Sequence, residues 1–113
     1  MKVNIFIIGR KTNYRADAVY HDGMVTVKKG SNICIKPNIS PRIGKVAEKF
    51  RMDKAIVNSE GSLLKDCEFN NVSSAAKFVM GISANGYESW KVEKGKSLGN
   101  YLTELGLYQR KTR

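Results

Sequence analysis

Asp22-Gly23 is the feature that most narrows what this chain can fold into. The pair suits a two-residue hairpin turn, whose central positions both need positive φ. It stands between two alternating runs, residues 14–21 and 24–29. Setting His21 opposite Met24 puts Tyr20 opposite Val25, Ala18 opposite Val27 and Asp17 opposite Lys28. One face then gathers Ala16, Ala18, Tyr20, Val25 and Val27, while the other pairs Asp17 with Lys28. That consistency commits the chain to a sheet built on this hairpin.

Other segments add to it. Val3, Ile5 and Ile7 alternate with Asn4 and Phe6, so residues 2–8 read as a strand. Residues 32–36, ended by Pro37, read as another, and 54–57 and 63–69 as short strands around a turn at 58–61. Ser40-Pro41 is a helix cap with proline in the first position, and Ile43, Val46, Ala47 and Phe50 follow at helical spacing. This predicts a helix over 41–52 with Arg42, Lys45 and Lys49 on its opposite side. Asn71 or Ser73 caps a second helix over 72–80, where Ala75, Ala76, Val79 and Met80 form the apolar face and Gly81 the stop. Asn85-Gly86 predicts a further turn with positive φ. Ser97, Leu98, Tyr101, Leu102, Leu105 and Gly106 predict a last helix, weakened by Gly99. The expected fold class is α+β, a small antiparallel hairpin-built sheet packed with two or three helices. Residues 1–108 form a single domain in this reading, and 109–113 a polar, basic tail.

The net charge of +10 on 113 residues points to an anionic partner. Residues 1–50 hold ten basic and three acidic side chains, against ten and seven in the remainder. Cys34 and Cys67 form no CxxC pair and share the chain with one His, too few ligands for structural zinc. Their apolar surroundings suit reduced thiols in a cytoplasm, and a disulfide between them stays open at this level. The first eight residues faintly resemble a signal peptide. Asn4 interrupts the run, Gly9-Arg10-Lys11 ends it, and it reads better as a strand. No run reaches transmembrane length, so no membrane partner is expected.

A family likeness is carried by Phe69, Ser73, Ala75, Ala76, Gly81, Ser83, Ala84, Asn85, Gly86, Trp90 and Lys91. This segment resembles the uncharacterised domain often fused to the C-terminus of GIY-YIG nucleases, and is similar to the RAMA (restriction enzyme adenine methylase associated) domains. Val27, Lys28, Gly30 and Ser31 resemble that family's V-L-K-G-S segment, and the residues at 95–98, G-K-S-L, its G-x-T-L. The likeness covers residues 14–105. The family usually has Pro where Val72 stands and Trp where Tyr87 stands. The resemblance implies a nucleic-acid-associated accessory domain, separated from its nuclease or methylase.

Candidate contact residues follow from charge and stacking chemistry. Lys28, Lys29 and Ser31, at the hairpin's end, could hold phosphates, as could Arg42, Lys45 and Lys49. Tyr87 and Trp90 are aromatic faces on which a base can stack, with Asn85 and Lys91 as polar neighbours. Trp90 is first the core anchor that clamps the Ala75–Ala76 helix to the sheet and second a stacking face. Asn85 is first a turn residue and second a base-edge reader. His21, Ser31, Cys67 and the carboxylates form no recognisable acid pair, nucleophile–base arrangement or metal motif. Gly95-Lys96-Ser97 is no phosphate loop, because Trp90 stands where the preceding glycine is needed. The expectation is a non-catalytic nucleic-acid-binding module, with no cofactor or metal and DNA ahead of RNA, partnered by a nuclease or methylase on a separate chain. A module whose basic face meets an acidic protein is the alternative.

Overall fold

Asp22 and Gly23 adopt φ of 49° and 89° and close the hairpin in the anticipated register. The computed structural model describes residues 2–9, 14–35 and 39–108. β2 (Arg15–His21) pairs with β3 (Met24–Val27), setting Ala18 opposite Val27, Tyr20 opposite Val25 and His21 opposite Met24. β1 (Lys2–Ile8) lies antiparallel on the other side of β2, with Ile5 opposite Ala18 and Ile7 opposite Ala16. β4 (Cys67–Phe69) extends the sheet beyond β3. A ribbon of β5 (Lys91–Glu93) and β6 (Lys96–Ser97) joins the free side of β1. The order is β4-β3-β2-β1-β5-β6, with every pairing antiparallel.

Four α-helices complete the α+β fold among the described residues: α1 (Lys45–Met52), α2 (Val72–Met80), α3 (Gly86–Ser89) and α4 (Leu98–Glu104). α2 starts on Asn71, whose side chain accepts from the Ser74 amide, and stops at Gly81 in the left-handed region. α4 starts on Ser97 in the same way, its hydroxyl accepting from Asn100. The helices bury the sheet face carrying Ile5, Ala18, Val25, Val27 and Phe69. Phe50 of α1 meets Phe69 edge-on at 5.4 Å, and Phe69 meets Phe78 of α2 at 5.1 Å, tying both helices to β4.

Several segments depart from expectation. The helix read over 41–52 is interrupted. A 3-10 turn, Pro41–Ile43, is followed by Gly44 at φ 97°, and α1 begins afresh at Lys45. This resets the helical phase, so Ile43 and Ala47 are buried while Val46 points outward. Residues 32–35 make no strand, because their amides bond to three separate partners: Asn32 to Arg15, Ile33 to Gly61 and Cys34 to Val79. The end of that run at Lys36-Pro37 and the tail at 109–113 lie outside the described residues. Residues 54–56 form a turn wrapped on Asp53, whose carboxylate accepts from the Ala55 amide. Of the run 63–69 only β4 joins the sheet, while Leu63 makes an isolated bridge to Val57.

Asn85-Gly86 is not a positive-φ turn. Asn85 caps α3, accepting from the Tyr87 amide, and Gly86 is the first residue of that helix. Glycine is needed there for close approach: a Cβ would stand 2.3 Å from the Val72 carbonyl. Gly99 serves α4 similarly, where a Cβ would sit 3.1 Å from the Tyr87 carbonyl oxygen.

Arg51 has a structural role that helical periodicity did not reveal. Its Nε donates to the Phe78 carbonyl at 2.9 Å, Nη1 to Cys34 at 2.7 Å and Nη2 to Val79 at 3.4 Å. Two of these carbonyls belong to the last turn of α2, where intrahelical partners run out. Burial lowers the guanidinium's pKa, and the fork of donors offsets part of the desolvation.

Candidate nucleic-acid interface

Lys28 and Lys29 leave β3 exposed at the end of the hairpin. Lys28 donates its amide to the Asp17 carbonyl, continuing the β2 pairing one step further, and the Lys29 amide is held by Asp66 at 2.7 Å. Their ammonium groups remain at the surface. The expected Asp17–Lys28 pairing is thus one of backbone, since the Asp17 carboxylate is engaged by Arg15 at 3.1 Å. Ser31 departs from its expected role. It is 4% exposed, and its hydroxyl accepts from the Asp17 amide and donates to the Asp17 carbonyl. A phosphate cannot reach it, and its task is to fasten the chain after Gly30 onto β2.

Arg42, Lys45 and Lys49 are exposed but do not form one helical stripe, because Gly44 separates Arg42 from α1. Lys45 and Lys49 lie one turn apart and line a shallow depression of about 440 Å3 with Glu48, Met52 and Asp53. The two carboxylates there weaken the local field without abolishing it.

The unit at 85–91 is built mainly from internal contacts. Trp90 is fully enclosed and donates its indole N–H to the Val72 carbonyl at 3.1 Å. The core-anchor reading holds, and a base cannot stack on this ring. Tyr87 is half-buried and lies parallel to Tyr108, with ring centroids 4.0 Å apart and planes 14° apart. One face of Tyr87 is therefore already covered. Burial, then the neighbouring Tyr20 and Tyr108, raises its phenol pKa. The Asn85 side-chain oxygen is engaged by the cap, and the Lys91 ammonium donates to the Glu88 carbonyl at 2.8 Å.

Sequence reading missed the sheet's uncovered side. Among the described residues the helices lie on one face, so Asn4 and Phe6 of β1 and Arg15, Asp17 and Val19 of β2 face away from them. Phe6 stands opposite Asp17 on one side and Lys91 on the other. The Arg15 guanidinium carbon is 5.0 Å from the Phe6 ring centroid. A depression of about 300 Å3 opens there, lined by these residues and Lys28. The period-two pattern of residues 2–8 carried a signal for Phe6, but Arg15 joins it only once the β1–β2 register is known.

His21 is exposed, with Nε2 3.3 Å from Asp22 Oδ2, and Cys34 and Cys67 are buried free thiols. Burial, then the charge of Asp66, pushes the Cys67 thiol up to about 11. Among the described residues no group of three or more His, Cys, Asp or Glu side chains is placed to hold a metal ion, and no helix is long and apolar enough to cross a membrane. The chain belongs to the family DUF4357, a domain of unknown function, which it matches over residues 6–102. No curated protein and no solved structure matches it.

Proposed function

We propose that this member of the DUF4357 family is a non-catalytic nucleic-acid-binding accessory module, with DNA as its preferred partner, working in the cytoplasm beside a nuclease or methylase carried by another chain. The observation that supports it is the exposed cation set. Lys28, Lys29, Arg42, Lys45 and Lys49 all reach solvent, and among the described residues the ion pairs of Lys and Arg are Arg15–Asp17 and Lys96–Glu104. With a net charge of +10, such a surface attracts a polyanion by counterion release. The likeness of the segment at 69–91 to domains accompanying GIY-YIG nucleases, and to RAMA domains, supports the restriction-modification setting.

Fluorescence anisotropy with labelled duplex and single-stranded oligonucleotides, repeated over a range of salt concentrations, tests this reading. Binding at low salt should weaken log-linearly, each phosphate contact contributing about 0.7–0.9 to the slope. Absence of binding to every oligonucleotide at low salt would transfer the cations to an acidic protein partner.

A further inference from the structure

We propose that the uncovered sheet face is a docking surface for single-stranded nucleic acid, with one base seated over the Phe6–Arg15 pair and the adjoining phosphates met by Arg15 and Lys28. This rests on the nucleic-acid reading above and names the surface and strand state it requires. Three observations carry it.

The first is pre-organisation. Arg15 directs Nε and Nη2 to the Asp17 carboxylate at 3.1–3.3 Å, and this fork holds the guanidinium over Phe6. The Asp17 backbone is itself held on both its amide and its carbonyl by buried Ser31. Much of the rotamer freedom that a flexible arginine loses on binding is thus already lost. Nη1 makes no hydrogen bond among the described residues and is free to donate to a phosphate.

The second is shape. The 300 Å3 depression has the size of a small-ligand site, with Phe6 and Val19 as apolar floor and Asn4, Arg15, Asp17 and Lys28 as polar rim. A base laid flat there meets a π-face or a guanidinium plane, the two surfaces on which unstacked bases stack. The Asn4 amide, without a side-chain hydrogen bond among the described residues, offers a donor and an acceptor to a base edge. In a duplex the base faces are occupied by their neighbours, so this geometry selects single strands.

The third is charge. Lys2, Arg15 and Lys28 lie on this side with two carboxylates, Asp17, already bonded by Arg15, and Glu68, further out on β4 opposite Thr26. The face presents net positive charge to a phosphate chain.

The test measures anisotropy of labelled oligo-dT, oligo-U and a duplex of equal length with the full chain and its Phe6→Leu and Arg15→Gln variants. Single strands should bind more tightly than duplex. Phe6→Leu should weaken single-strand binding about tenfold without changing the salt slope, whereas Arg15→Gln should lower affinity and flatten the slope. The dT and U arms decide between DNA and RNA. Amide chemical-shift mapping of the parent chain with oligo-dT or oligo-U gives a readout independent of variant folding, with shifts expected at Asn4, Phe6, Asp17 and Val19. Duplex preference, parent-like binding by a folded Phe6→Leu, or shifts confined to α1 would overturn the sheet-face assignment while leaving nucleic-acid binding intact. Loss of all binding would remove both.

Discussion

Ser31 Oγ holds Asp17 from both sides, accepting from its amide at 2.9 Å and donating to its carbonyl at 3.1 Å. The serine of the V-K-K-G-S segment thus replaces a missing strand partner at the point where β3 has ended. Ser31→Ala should leave the Asp17 amide without a partner, its carbonyl keeping the Lys28 amide, and destabilise the fold by about 1–3 kcal/mol. Urea denaturation checks this, and a parent-like midpoint would mean that water replaces the hydroxyl.

Trp90→Ala should cost roughly 3–5 kcal/mol, since a fully enclosed indole is removed. Trp90→Phe keeps most of the volume but abandons the Val72 carbonyl, and should cost about 1–3 kcal/mol. Thermal melts followed by circular dichroism rank the two. Equal midpoints for parent and Trp90→Ala would contradict the core assignment.

Gly86→Ala places a methyl 2.3 Å from the Val72 carbonyl and 2.5 Å from the Ser73 amide, all of it backbone. α2 and α3 must then separate, at a cost of about 3 kcal/mol. Gly95→Ala is the control. It has φ of 82° and open space around it, so it carries only the left-handed penalty of about 1–2 kcal/mol. Chemical denaturation of the two variants should order them in that way.

Alkaline pH should weaken the fold through Cys67. Its native thiol holds its proton to about 11, whereas an unfolded one ionises near ~8.5. The unfolded state therefore binds fewer protons between these values, and stability falls as pH rises through the window. Below it the contribution is fully present. Unfolding free energies at neutral pH and at about pH 10 should differ, and Cys67→Ala should flatten the difference.

Lys45→Ala combined with Lys49→Ala should reduce the salt slope of oligonucleotide binding by roughly 1.4–1.8 if both ammonium groups meet phosphates. Both are exposed, so the melting temperature should hold. An unchanged slope would exclude α1 from the contact.

Much of the fold was legible where one local rule acts alone. The Asp22-Gly23 turn set its own register, and Asn71 with Gly81 bounded α2, because caps and turns are settled by nearby backbone. The reading failed where distant partners decide. Residues 32–35 have the apolar content of a strand, but the carbonyls of Gly61 and Val79 claim their amides. β5 and β6, at three and two residues, are too short for periodicity to register. Gly86 looked like a turn residue because proximity to Val72 has no local signature. The candidate site was legible only as charge. Ser31 was drawn in by residue type and is enclosed, Trp90 is enclosed as its core-anchor reading expected, and Phe6 and Arg15 come together only through strand pairing.

The strand order also governs how the molecule meets copies of itself. β2 is flanked along its length by β1 and β3, β5 meets β1 at Phe6 opposite Lys91 alone, and the terminal strands of the sheet are β4 and β6, with three and two residues. At these two terminal strands an incoming chain finds almost no ladder on which to template, and Glu68 of β4 adds a charge against it. Fibril growth by addition at β4 or β6 should accordingly be slow even in highly concentrated solutions.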